Sequence, residues 1–292
     1  MSAICASCPR KCGVDRRLTP GFCGEGPAAR VARAAPHFWE EPPISGERGS
    51  GTVFFTGCNL RCVYCQNSAI STGGVGVPVT PERLRAIYFS LIDQGVHNIN
   101  LVTAGHFIDP VLTSLAEPLP VPVVWNSGGY ESAETLRRLD GKVQIYLPDM
   151  KYLDPALAAR YSAAGDYPEV AKRAITEMFR QTGPYVLDDD GLIQRGVIIR
   201  HLVLPGALDN TRRVIEWVKE TFAPGDVLFS LMSQYTPAGR AADFPELSRR
   251  LTPEEYAAAM ACLEDAGIED GFFQELSSAR EEYTPPFDLT GV

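Results

Sequence analysis

The chain has 292 residues, 45% of them apolar and 22% charged, with 36 acidic against 27 basic side chains. These fractions exclude wholesale disorder and a collagen-like chain, and no apolar run reaches the roughly 18–20 residues of a membrane span. The formal charge of −9 argues against a nucleic-acid partner. No basic stretch precedes an apolar one after Met1, so no secretory signal is visible and a cytoplasmic location is expected.

Residues 1–50 are rich in Cys, Pro, Gly and Arg, with little helical or strand periodicity. Such a segment can hardly bury a core, so metal is expected to hold it in shape. The stretch Pro36–Gly46 reads as an extended connector, because each residue before a proline favours extended backbone. From residue 51 the chain alternates. Thr52–Thr56 is a strand, and Thr80 caps a helix with Pro81 in its first turn and Gly95 as its stop. Asn98–Val102 is the second strand, followed by a helix from Asp109, and Val121–Trp125 is the third, followed by a helix over Glu131–Leu139. Val143–Leu147 is the fourth strand, before helices over Asp154–Ala164 and Glu169–Thr182. Val197–Leu204 and Val227–Met232 follow, with helices over Asp209–Thr221 and Pro253–Ala266 and a last short strand at Gly271–Leu276.

Strands alternating with helices mean βαβ units and a parallel sheet. Six units are short of a full eight, so the fold expected is a partial (β/α)6 parallel barrel over residues 51–292, with a Cys-rich metal-binding extension over 1–50. Function in such sheets gathers at the C-terminal ends of the strands.

Seven of the eight cysteines lie in the first 65 residues. Clustered thiols at these spacings read as metal or iron–sulfur ligation in a reducing compartment. Cys58, Cys62 and Cys65 form Cys-x3-Cys-x2-Cys at the end of the first strand. Three thiolates within eight residues suit three corners of a [4Fe–4S] cubane, leaving one iron open for a small molecule. The competing reading is a zinc site completed by a distant histidine. Cys5, Cys8, Cys12 and Cys23 offer four more thiolates, for a second iron–sulfur cluster or a structural zinc. Cys262, alone on a helix, reads as core.

The loop GCNLRCVYCQN, with Tyr64 as the aromatic before the last cysteine, resembles the signature of the radical S-adenosylmethionine (SAM) superfamily, and the resemblance implies that Tyr64 is a cofactor contact. Its wording is most similar to the branch around the pyruvate formate-lyase activating enzymes, in particular the PflX-like group. The likeness extends through CASCPRKCGVDR, EEPPISG, YLPDMKY and RHLVLPG. The resemblance implies a [4Fe–4S] cluster on Cys58, Cys62 and Cys65 whose open iron binds the amino and carboxylate groups of SAM. One electron from a low-potential donor then cleaves a carbon–sulfur bond, and the 5′-deoxyadenosyl radical removes a hydrogen atom from a substrate.

SAM needs both charges, amide-type partners and an apolar slot, and the strand ends supply those types. The family's Gly-Gly-Glu place is held here by Thr103-Ala104-Gly105-His106, as in the PflX-like group; Gly105 and His106 then fall at the amino group, unless His106 serves nearby backbone. Asn126 and Ser127 fall where activating enzymes place polar contacts, or form a turn. Asp149 matches a ribose contact and Lys151 a carboxylate contact, or the two form a plain ion pair. Arg200, charged within an apolar strand, requires an anion, either the SAM carboxylate or a structural carboxylate. His201 points to the opposite face and reads as structural, while Gln234 and Tyr235 are weaker adenine or substrate candidates.

The leading expectation is an enzyme that activates a protein by hydrogen abstraction, glycyl radical formation being one form, or that acts on a small molecule or peptide. The alternative from another class is a non-catalytic iron–sulfur electron carrier or metal-binding protein. No membrane partner is expected.

Overall fold

The computed structural model describes residues 4–275 and 284–292. Its centre is one open, mostly parallel sheet. The parallel strands are β2 (Ser50–Phe55), β4 (Ile99–Val102), β5 (Val123–Ser127), β6 (Ile145–Pro148), β8 (Ile193–Leu202), β9 (Leu228–Met232) and β10 (Gly271–Phe273). At one edge β1 (Ala29–His37) and β3 (Val77–Val79) run antiparallel, and the short β7 (Val186–Leu187) pairs with β8. The spatial order is β10-β9-β8-β6-β5-β4-β2-β1-β3, and the two ends do not meet. The α/β class and the partial, unclosed parallel sheet agree with the sequence reading. The proposed end of the last strand, Leu276, lies outside the described residues.

Local chemistry explains the elements. Thr80 caps the helix Pro81–Asp93 by accepting from the Arg83 amide, and Thr252 and Glu255 form a reciprocal capping box on Pro253–Ala266. The strands are apolar on both faces because both are covered. Val53, Leu101, Trp125, Tyr146, Ile199 and Phe229 face the helical layer in the main core. Their alternates Val124, Ile145, Leu147, Ile198 and Leu228 face the concave side and enclose Ile44.

Two expectations for the first 50 residues are corrected. Ala29–His37 is not irregular but a strand, paired with β2 from Val31↔Phe55 to His37↔Ser50. The connector is extended only through its early residues; Pro42–Ser45 is one helical turn, for which Pro42 at the first position is preorganised. Ile44, fully buried, is the reason. It plugs the concave side of the sheet, and burying such a side chain contributes about 1.5–3 kcal/mol.

Candidate functional site

The three-cysteine loop leaves β2 at Gly57, whose φ is +80°. A Cβ there would lie 2.8 Å from the Cys23 carbonyl and 3.2 Å from His106 Nε2, so glycine lets three segments meet. Arg61 takes a left-handed turn inside the loop. Two backbone bonds tie it down: Val63 N–H to the Tyr161 carbonyl (2.8 Å) and Arg240 N–H to the Val63 carbonyl (2.6 Å).

Cys58, Cys62 and Cys65 are half-buried. Each sulfur accepts hydrogen bonds, among them Leu60 N–H to Cys58 Sγ (3.4 Å), Ser162 Oγ–H to Cys62 Sγ (3.0 Å) and Ser71 Oγ–H to Cys65 Sγ (3.4 Å). Burial pushes all three thiol pKa values up, and the Lys151 ammonium works against that at each of them. Behind Cys62 runs a buried chain. Tyr64 and Tyr152 hydroxyls are 2.7 Å apart, and Tyr152 lies 2.9 Å from the Ser162 hydroxyl that serves Cys62. With Ser162 donating to sulfur, Tyr152 donates to Ser162 and Tyr64 to Tyr152, each bond strengthening the next. Tyr64 therefore belongs to the frame of the loop.

A charged array lies at the ends of the neighbouring strands. Asp149 accepts from Lys151 Nζ (2.6 Å) and from Arg200 Nε (3.0 Å). Burial alone would raise the Asp149 pKa, but Arg200 and Lys151 hold it below the ordinary value. Arg200 also donates to Asn126 Oδ1 (2.8 Å) and to Glu40 Oε1 (2.7 Å). Its anions are thus carboxylates of this chain. Gly128 lets the array approach the cysteine loop: a Cβ there would lie 2.9 Å from Leu60 Cδ1 and 3.5 Å from Lys151 Cε.

Glu40 and Glu41, carried up by the plug at Ile44, complete this layer. Glu40 Oε2 accepts from Asn100 Nδ2 (3.2 Å) and Asn126 Nδ2 (2.8 Å), and Glu41 Oε1 accepts from Ser230 (2.9 Å). Burial raises the Glu41 pKa to about 7, although Arg200 lowers it. Arg200 and Gln234 border a cavity of about 530 Å³ that Phe38, Trp39 and Phe273 also line. That volume is within the ~300–1,000 Å³ usual for small-molecule pockets.

After β4, Thr103 is left-handed and His106 is buried. His106 Nε2–H donates to the Thr56 carbonyl (2.8 Å), and burial pushes its pKa down to about 4, so the ring is neutral. Beside Gly105 sits Glu131, whose pKa burial raises to about 8. The Ser127 hydroxyl accepts from Gly129 N–H (3.2 Å), a turn-forming contact. His201 is structural, as expected, donating to Met150 O (2.7 Å) and accepting from Thr211 (3.0 Å). The expectation for Tyr235 is corrected: it is buried, its hydroxyl donates to the Leu247 carbonyl (2.6 Å), and its ring packs on Tyr64. Gln234 donates only weakly, to Met232 Sδ (3.6 Å).

The N-terminal cysteines lie against this site. A Cβ on Gly21 would sit 3.5 Å from Cys12 Sγ and 3.7 Å from Cys23 Sγ. Burial drives the Cys8 pKa up to about 12, with smaller contributions from Cys5 and Cys12. Among the described residues, no three His, Cys, Asp or Glu side chains are arranged as a single-ion site. A cubane instead spreads its cysteines over separate irons. The loop of three half-buried sulfurs, each with a donor and facing a cation, has the chemistry such a group needs.

Residues 52–218, more than half of the chain, match the radical SAM superfamily. The chain belongs to the radical SAM superfamily. Its members are enzymes of SAM-dependent radical chemistry, so a [4Fe–4S] cluster and SAM are implied for this radical SAM protein. The uncharacterized protein MJ0674 of Methanocaldococcus jannaschii is 30% identical over 278 residues, covering 91% of this chain and 75% of that one. Among solved structures, Streptococcus suis SuiB bound to S-adenosylmethionine is similar with TM-score 0.50 and 10% identity, over 77% of this chain and 50% of SuiB. A domain of pyruvate-formate lyase-activating enzyme from Bacteroides vulgatus gives 0.37 and 13%, over 67% of this chain and 91% of that domain. At 10% identity the likeness to SuiB speaks to fold alone. No helix among the described residues is long and apolar enough to cross a membrane.

Sequence reasoning missed Glu40, Glu41, Glu131, Ser162 and Tyr152 as parts of the site. The doubled glutamate before two prolines was a visible signal, since the Arg200 charge needed a buried carboxylate somewhere.

Proposed function

We propose that this radical SAM enzyme holds its cluster on Cys58, Cys62 and Cys65 and abstracts hydrogen from a protein substrate in the manner of the activating enzymes. Glycyl radical formation is one form of this, hydrogen abstraction from a small molecule or peptide is the alternative, and a low-potential electron donor in the cytoplasm is the partner. The observation that carries the reading is the meeting of the three-sulfur loop with the Lys151–Asp149–Arg200 array at Gly128. An electron carrier has no need of such an array beside an open iron.

With both groups bound, the chemistry they supply is one-electron cleavage of a carbon–sulfur bond and a 5′-deoxyadenosyl radical that takes a hydrogen atom. The residues bind and orient. Lys151 supplies a cation for the SAM carboxylate, and Asp149 keeps it charged. Asn126 and Ser127 offer polar groups at the end of β5, while Gln234 and Arg200 border the adjoining cavity. His106, with Nε2–H committed to Thr56, keeps Nδ1 as a lone-pair acceptor suited to the amino group, next to Gly105. Cys5, Cys8, Cys12 and Cys23 would hold a second iron–sulfur cluster, whose irons take separate cysteines; a zinc ion, the other candidate, would need all four drawn around one point.

The test is anaerobic. The chain is reconstituted with iron and sulfide, reduced, and given SAM, and 5′-deoxyadenosine is measured with iron and zinc content. Formation of 5′-deoxyadenosine that is lost in Cys62→Ala supports the reading. An intact reduced cluster that neither binds nor cleaves SAM would return the electron-carrier alternative to the lead.

A further inference from the structure

We propose that Arg10 is a positioning residue through which the N-terminal cysteine lobe sets the geometry of the loop carrying Cys58, Cys62 and Cys65. The inference rests on the reading of that loop as the cluster site.

Arg10 stands on the turn between Cys8 and Cys12, a turn closed by Lys11 N–H to the Cys8 carbonyl (3.0 Å). All three of its guanidinium hydrogen bonds go to residues outside the lobe. Nε donates to the Asn59 carbonyl (2.8 Å), which lies inside the cluster loop, one residue after Cys58. Nη2 donates to the Ser162 carbonyl (2.9 Å), and Nη1 donates to the Ala163 carbonyl. The last two are carbonyls at the C-terminus of the helix Pro155–Ser162, which ends in a left-handed residue, Ala163. Helix C-termini leave such carbonyls without intrahelical donors, and a cation there is favourable. A planar fork presents donors from three separate nitrogens to these acceptors, whereas a lysine would have to reach all of them from a single one.

The helix end matters because of what else it holds. The Tyr161 carbonyl accepts from Val63 N–H of the cluster loop, and the Ser162 hydroxyl donates to Cys62 Sγ at 3.0 Å. Arg10 thus fixes both partners of one contact: the loop through Asn59, and the Ser162 backbone from which the hydroxyl projects. Its stem is fixed in turn, since the guanidinium stacks 4.0 Å from the Phe22 ring and 5.1 Å from the Tyr130 ring. Whatever orders the Cys8–Cys12 turn orders Arg10, and through it the donor on Cys62. Hydrogen bonds to cluster sulfurs set reduction potential, because a donor favours the more negative, reduced state. The lobe is therefore connected to the electron affinity of the radical centre as well as to its shape.

The experiment uses the full chain with Arg10→Ala, Arg10→Lys and Ser162→Ala. Hydrogen exchange on the protein as purified should show at least tenfold faster exchange over residues 58–65 and 156–164 in Arg10→Ala, an intermediate rise in Arg10→Lys, and no change in the helix Pro81–Asp93. After iron reconstitution, redox titration followed by electron paramagnetic resonance should give a lower potential for Arg10→Ala, in the direction that Ser162→Ala gives. Faster exchange confined to residues 4–28, or a potential equal to the parent's, overturns the proposal. If the parent binds no cluster at Cys58, Cys62 and Cys65, the reading of the loop falls, and exchange over 58–65 alone decides for or against Arg10.

Discussion

Arg200 and Glu40, 160 positions apart in the chain, meet inside the sheet with Nη1 2.7 Å from Oε1. Among the described residues the hydrogen-bond partners of Glu40 are all donors: Arg200 Nη1, Asn100 Nδ2 and Asn126 Nδ2. A carboxylate can only accept, which suits the place, whereas an amide would turn its own N–H groups toward a donor. Glu40→Gln, nearly identical in volume, is therefore expected to destabilise the fold by on the order of 3 kcal/mol, as the loss of one partner of a buried ion pair does. The midpoint of urea unfolding measures this. A midpoint within error of the parent's would show that Asp149 alone satisfies Arg200.

Glu41 carries a pH dependence. Burial raises its pKa from the ordinary 4.5 to about 7. Between those values the folded chain retains a proton that the unfolded chain has lost, so this group makes stability fall as pH rises through the window. The full loss is roughly 3 kcal/mol, complete above about pH 7. Glu41→Gln cannot ionise. Its stability relative to the parent should therefore increase from pH 4.5 to 7.5, read from denaturant unfolding at several pH values. A difference that stays constant across the range would place the Glu41 titration elsewhere.

The parts legible in the sequence were those with local signals. Cys58, Cys62 and Cys65 declare themselves by spacing, and Thr80 declares its helix by capping chemistry. The apolar parallel strands stand out because both faces are covered. The strand Ala29–His37 was hidden because Arg30 and Arg33 interrupt its apolar pattern, and its pairing with β2 is decided by distant residues. Pro42–Ser45 looked like a linker because prolines dominate it, yet the fully buried Ile44 makes it a plug. Ser162 carried no signal at all: a serine ending a helix becomes a partner of Cys62 only when the helix packs against a loop 100 positions away. Asp149, Lys151 and Arg200 stand out in the sequence as charged groups needing partners, and the structure adds that they are largely each other's partners, with Glu40 as the missing acid.

Gly105 is pressed against Glu131. A Cβ on Gly105 would lie 2.6 Å from Glu131 Oε1 and 2.8 Å from its Cδ, closer than side chains tolerate. Gly105→Ala should therefore cost roughly 1–3 kcal/mol by overpacking. Shortening the acid makes room, so adding Glu131→Ala should recover part of that cost. A thermodynamic cycle over the two single variants and the double variant would then show favourable coupling. Additive effects would mean that the methyl group is accommodated by movement of the backbone.

Lys151 is the group on which the SAM pocket assignment turns. Its ammonium is 2.6 Å from Asp149 Oδ2, and its charge acts on all three thiols of the cluster loop. Asp149 is also held by Arg200 at 3.0 Å, so removal of the lysine leaves no buried carboxylate unpaired. The fold and the iron content of Lys151→Ala should accordingly match the parent's. A charge-assisted hydrogen bond to a carboxylate contributes about 1.5–3 kcal/mol, so SAM affinity should fall by roughly 10- to 100-fold. Equilibrium dialysis of the reconstituted protein measures the affinity, and an iron assay on the same sample measures the iron content. Lost iron with unchanged affinity per cluster would make Lys151 a support of the cysteine loop, and unchanged iron with unchanged affinity would remove it from the pocket.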